Sequence, residues 1–131
     1  MKLPPVFWLR LSYWIGAVID VLAGLSMLFP ALFAFSNRLS GFVPDLSFRF
    51  MAGMGAPLMF GWTVLLLWAD RKPLERKAVL LITLIPILGN AFNQVVGLSN
   101  GFLSLEAALP LWINQTVLTA LYVFSYWNAS K

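Results

Sequence analysis

The sequence predicts an all-α fold, an integral membrane four-helix bundle with N and C termini cytoplasmic. Three observations predict it. The 131 residues are 60% hydrophobic and only 11% charged, with a mean hydropathy of +0.83, whereas a soluble domain carries about 25% charged residues. The apolar residues fall into four runs, each close to the ~20 residues that a helix needs to cross the hydrocarbon core. The Lys and Arg residues gather in the joins on one side, as topology signals do. Residues 1–131 read as a single transmembrane domain.

The first run, about Leu11 to Phe35, carries Gly16, Asp20 and Gly24 at four-residue spacing behind Lys2 and Arg10. It is longer than the ~7–15-residue apolar region of a signal peptide, and an acid interrupts it, so it reads as a retained span. The second run, about Phe50 to Ala69, follows Ser40-Gly41 and Pro44-Asp45 and has the stripe Arg49, Gly53, Pro57, Gly61. The third, about Ala78 to Leu98, follows Asp70-Arg71-Lys72-Pro73 and has Thr83, Pro86, Asn90, Asn93, Gln94 and Gly97. The fourth, about Ala107 to Trp127, follows Ser99-Asn100-Gly101 and has Asn114, Gln115, Thr119, Tyr122 and Tyr126. Turn-forming residues in each join mark the ends. Ser104 is placed to cap the fourth helix, with Glu106 in its first turn, where negative charge suits the dipole.

Orientation follows from the basic residues. Lys2, Arg10, Arg71, Lys72, Arg76, Lys77 and Lys131 fall on one side, Arg38 and Arg49 on the other. The positive-inside rule places the first side in the cytoplasm. Trp8, Trp68, Tyr126 and Trp127 then lie near that interface and Trp112 near the opposite one. The expected location is a membrane, multi-pass, of the bacterial inner membrane type.

Composition excludes several chemistries. With no Cys and no His, the chain has no thiol nucleophile, disulfide, His-based triad or His-ligated haem, and no ordinary zinc site. No cofactor is implied. The net charge of +4 does not indicate nucleic acid, because no basic face interleaved with aromatics lies outside the apolar runs.

The most informative residue is Asp20. An ionised side chain near the bilayer centre costs ~2.5–3.5 kcal/mol on insertion scales, so such a residue faces a partner, a ligand or water. Helix three runs outward and helix four inward, so Asn90, Gln94, Asn114 and Gln115 fall in the central and outer parts of the bundle. Arg49 falls at the outer mouth. The inner half, with Leu65, Leu66, Leu67, Val79, Leu80 and Leu81, is dry. A ligand-binding site of Asp20, Arg49, Asn90, Asn93, Gln94, Asn114, Gln115 and Tyr122 is expected, open toward the outer side. In it Asp20 either donates a hydrogen bond as the neutral acid or attracts a cation or proton as the carboxylate. Packing is the competing explanation for these residues, since amides, hydroxyls and small residues also hold membrane helices together.

Four spans with an acid in the first resemble small multidrug-resistance exporters, although the one-sided charge here sets a single orientation. The loop from Ala69 to Lys77, after Gly61, is similar to the helix two–three loop of major facilitator transporters, from which Pro73 and Glu75 depart. Taken whole, the chain resembles the small bacterial four-helix proteins of the DoxX-like kind, with both termini on one side, glycine-rich helices and a basic central loop. That resemblance implies association with membrane redox or quinone chemistry, but no residue here matches a redox role.

The expected function is binding of an amphipathic or lipid-like small molecule in a polar intramembrane pocket, with transport as one use of that binding. The alternatives are an accessory or assembly subunit of a larger membrane complex, or a homo-oligomer, and a membrane enzyme acting on a lipid or isoprenoid with Asp20 as acid and Arg49 as anion contact. The pocket offers no evident nucleophile, which disfavours the enzyme.

Overall fold

A computed structural model describes residues 2–131. It is all-α, with five helices: α1 (Pro5–Leu28), α2 (Pro30–Ser36), α3 (Leu46–Asp70), α4 (Ala78–Ser99) and α5 (Leu105–Asn128). Four of them, α1, α3, α4 and α5, are long and apolar enough to cross a membrane. The short α2 is a correction to the expected first span, which was drawn unbroken from Leu11 to Phe35. Pro30 is the cause. Its ring disfavours helical backbone at the residue before it, and Phe29 is extended at φ −113°, ψ 98°.

The other helix ends follow local rules. Pro5 occupies the first turn of α1, where a missing N–H is harmless. Asp45 caps α3, its Oδ1 accepting from the Phe48 N–H at 2.7 Å, so α3 begins about a turn earlier than its apolar run suggests. Ser104 caps α5 as expected, its Oγ accepting from the Ala107 N–H at 3.2 Å. Pro57, Pro86 and Pro110 lie inside continuous helices, which membrane helices tolerate when the freed carbonyls find other partners.

The spans run antiparallel in sequence order. α1 packs most closely on α3, and α5 contacts both α1 and α4. The α1–α3 approach depends on small residues. A Cβ on Gly24 would lie 2.6 Å from the Phe60 ring, and one on Gly55 would lie 2.9 Å from Met27 Sδ. Close backbone approach of this kind supplies dispersion where lipid removes the hydrophobic drive between helices.

The packed core occupies one half of the bundle, the half nearer the termini. It contains Leu9, Tyr13, Ala17, Leu66, Ala69, Val79, Leu80, Leu118 and Tyr122. Most polar groups in this half are tied down; the Tyr122 hydroxyl and Asp70 Oδ1 have no hydrogen-bond partner among the described residues. Ser12 Oγ and Ser125 Oγ are 2.8 Å apart and both contact the Trp8 carbonyl. The Tyr13 hydroxyl donates to the Arg76 carbonyl at 3.0 Å. Asp70 accepts from Trp14 Nε1 at 3.3 Å and pairs with Arg10 at 3.7 Å. Lys77 Nζ donates to the Ala129 carbonyl and to Ser130 Oγ. These contacts gather the 70–77 loop and both chain ends at one end of the bundle. The outward faces are apolar: Leu58, Ile85 and Phe92 are each about 70% exposed. In water this would be an adhesive surface, whereas lipid covers it.

Candidate functional site

Asp20 lies at the top of the packed core. Its position can be read from the helix registers. Ser12 meets Ser125 and Gly16 meets the Tyr122 hydroxyl. Continuing that antiparallel register puts Asp20 opposite Leu118, with Gln115 one turn further from the termini. On α3, Gly16 meets Leu66 and Gly24 meets Phe60, so Asp20 is level with Trp62 and Thr63. Trp62 Nε1 donates to Thr83 Oγ1 at 3.0 Å, which brings α4 to the same level. On α5, the Lys77–Ala129 contact sets a register in which Asn90 is level with Thr116 and Gln94 with Trp112.

At this level the packing opens on three helices. Residues three, four or seven apart share a helix face, so a buried stripe should continue without a gap. On α1, Gly16 and Gly24 are buried but Asp20 between them is only half-buried. On α5, Ala108 and Tyr122 are buried but Gln115 between them is half-buried, and Asn114 is exposed between buried Ala107 and Leu118. On α4, Asn90 is exposed between buried Thr83 and Gly97. The interruptions fall at matching heights on α1, α4 and α5, just beyond the packed core.

Polar atoms at this level and within two turns of it are unsatisfied. Asp20 Oδ2, Gln94 Oε1, Gln115 Oε1 and the Tyr122 hydroxyl are all buried, with no hydrogen-bond partner among the described residues. Below them Ser12, Tyr13, Thr63, Thr83 and Ser125 all have partners. Leaving one buried polar group unpaired costs ~1–3 kcal/mol, and lipid offers no replacement. The groups are three acceptor oxygens and one hydroxyl that both accepts and donates. Such a set can hold the hydrogen-bonding head of a guest molecule. It has no nucleophile beside a base.

One of the expected residues, Arg49, lies elsewhere, and a second, Asn93, lies at the edge of its stripe. Arg49 is exposed on the first turn of α3. It is thirteen residues before Trp62, on the order of 20 Å along the helix at ~1.5 Å per residue, and forms no ion pair with Asp20 among the described residues. Asn93 is exposed like Asn90; three residues from Asn90 and four from Gly97, it lies on the flank of that stripe away from buried Gln94. The whole α3 stripe faces away from the bundle: Arg49, Gly53, Pro57 and Gly61 are exposed, and a Cβ on Gly53 or Gly61 would meet nothing within 4 Å.

Sequence reasoning missed two features of the end opposite the termini. Phe33, Phe42 and Phe48 form a ring cluster with centroids 4.9–5.5 Å apart, and Phe102 from the α4–α5 join reaches Phe42 at 6.4 Å. The signal available was four phenylalanines flanking the outer joins, where aromatics anchor at interfaces. The second is a shallow cavity of about 670 Å³ between the segment from Ala34 to Ser40 and the start of α5 at Ala107 and Pro110. None of the eight expected site residues lines it.

Compared with protein-family models, curated proteins and solved structures, the chain matches none. Four apolar helices long enough to span identify a multi-pass membrane protein.

Proposed function

We propose that this protein binds an amphipathic or lipid-like small molecule in the cleft above Asp20, with transport as the use that a site near the middle of a membrane serves. The observation that carries the reading is that four of the five unpartnered buried polar atoms, from Asp20, Gln94, Gln115 and Tyr122, come from α1, α4 and α5 and flank the end of the core, the fifth being Asp70 Oδ1 beside Arg10. The guest's head group supplies hydrogen bonds to Asp20, Gln115 and Gln94 and meets the Tyr122 hydroxyl. Its apolar part extends along the exposed sides of α4 and α5 past Asn90 and Asn114. The positive-inside rule supports a cytoplasmic location for both termini, so the cleft opens toward the outer half of the bilayer, in a membrane of the bacterial inner type.

The test is chemical. The native protein and Asp20→Asn are purified from membranes in mild detergent, and their extracts are compared by mass spectrometry. A small molecule enriched with the native chain and lost from the variant, at equal thermal stability, supports the reading. Identical extracts contradict it.

One observation favours a second reading, an accessory subunit or homo-oligomer. The α3 stripe Gly53, Pro57, Gly61 is small and exposed, with open space beside both glycines, and such stripes serve helix association. Cross-linking of single-cysteine variants at Gly53 and Gly61 in membranes tests it: a specific cross-linked product supports it and a monomer speaks against it. The enzyme reading loses its anion contact, because Arg49 lies far from Asp20.

A further inference from the structure

The geometry points to a second binding site, at the cavity beside Arg38, for the phosphate head of an anionic phospholipid. The turn after α2 is built for glycine. The Leu39 N–H donates to the Ala34 carbonyl at 2.8 Å and the Arg38 N–H to the Phe35 carbonyl at 3.2 Å, the paired bonds of a Schellman end. That motif puts its central residue in left-handed backbone, and Arg38 sits there at φ 52°, the only non-glycine with positive φ among the described residues. An L side chain is disfavoured in that conformation. Elsewhere the chain uses glycine for it, at Gly41 (φ 68°) and Gly101 (φ 81°). Arginine therefore stands at a position that turn geometry alone would give to glycine, and unfavourable backbone of this kind gathers at ligand clamps.

The surroundings give the residue a task. Arg38 lines the 670 Å³ cavity, with the Ser36 and Ser40 residues beside it and Leu39, Ala107 and Pro110 as apolar surface. No acid pairs with Arg38 among the described residues. A guanidinium presents a fork of N–H donors that matches phosphate oxygens, and Ser40 adds a hydroxyl, that of Ser36 donating to the Phe33 carbonyl at 3.1 Å. The cavity lies at the end of the spans, where head groups meet acyl chains, so one anionic phospholipid can set its phosphate on Arg38 and the top of its chains on Leu39 and Pro110. The site is separate from the cleft at Asp20, and neither reading depends on the other.

The competing explanation is that Arg38 only complements the α2 dipole. The test uses the detergent-purified full chain in native mass spectrometry, with phosphatidylglycerol or phosphatidylcholine of the same chains as probe. The native protein is expected to retain phosphatidylglycerol about tenfold better, equivalent to about 1.4 kcal/mol. Arg38→Gly and Arg38→Asn, which both suit left-handed backbone, are expected to lose that preference while melting no lower than the native chain. Arg49→Gln, which removes the other cation at this end, is expected to keep it. Millimolar inorganic phosphate is expected to leave the lipid bound. Unchanged preference in both Arg38 variants, equal loss in Arg49→Gln, displacement by free phosphate, or loss seen only together with a lower melting temperature would each overturn the proposal.

Discussion

The Tyr122 hydroxyl occupies the space that a side chain on Gly16 would fill. Gly16 is thus both the contact that lets α5 approach α1 and the neighbour, one turn away, of the Asp20 carboxylate. The packed half of the bundle ends one turn beyond this contact, at the level of Leu118, where the proposed cleft would begin.

Gly16→Ala therefore forces Tyr122 outward and also presses on Leu66, whose Cδ1 would lie 2.9 Å from the new Cβ. Overpacking of this kind costs about 1–3 kcal/mol. Unfolding in detergent is expected to show a loss of that size, and Gly16→Ala combined with Tyr122→Phe, which removes the oxygen, is expected to recover part of it.

Ser12 and Ser125 test the pairing of α1 with α5 in the satisfied half. A double-mutant cycle with alanine at each is expected to give a coupling of about 0.6 kcal/mol, the mean for such hydrogen bonds between membrane helices. A coupling of zero would mean that the 2.8 Å contact adds nothing to the register from which the height of Asp20 is read.

Pro30→Ala restores a backbone N–H and relieves the constraint on Phe29. The expected result is one continuous helix through α1 and α2. Spin labels at Ser26 and Ser36 should then separate toward the ~15 Å of ten helical residues, and the Phe33 ring should leave the cluster with Phe42 and Phe48. An unchanged distance would assign the break to tertiary packing rather than to proline.

The four spans were legible because length and apolarity alone decide which segments can cross a membrane. The break at Phe29–Pro30 was hidden inside a run whose hydropathy does not change across it. The start of α3 was misplaced because Asp45 is polar, so it reads as loop, although capping makes it the helix boundary. Side-chain direction was legible where burial forced it. Asp20, Gln94, Gln115 and Tyr122 lie on stripes buried above and below them, whereas glycine and proline carry no such direction, and the α3 stripe proved to face outward. Asn93 was grouped with Asn90 by its three-residue helical spacing, and both are exposed. Arg38 read only as a topology signal, because its left-handed backbone comes from the Schellman turn that Pro30 makes necessary by starting a new helix.

The absence of cysteine from the native chain allows the cleft to be tested directly by single-cysteine accessibility in intact membranes. Asn90→Cys and Asn114→Cys, at matching heights on α4 and α5, are expected to react with a charged, water-soluble maleimide, while Ile85→Cys and Phe92→Cys on the apolar face of α4 stay unlabelled. If Asn90→Cys and Asn114→Cys resist the reagent as completely as Ile85→Cys and Phe92→Cys, no polar cleft exists at the level of Asp20.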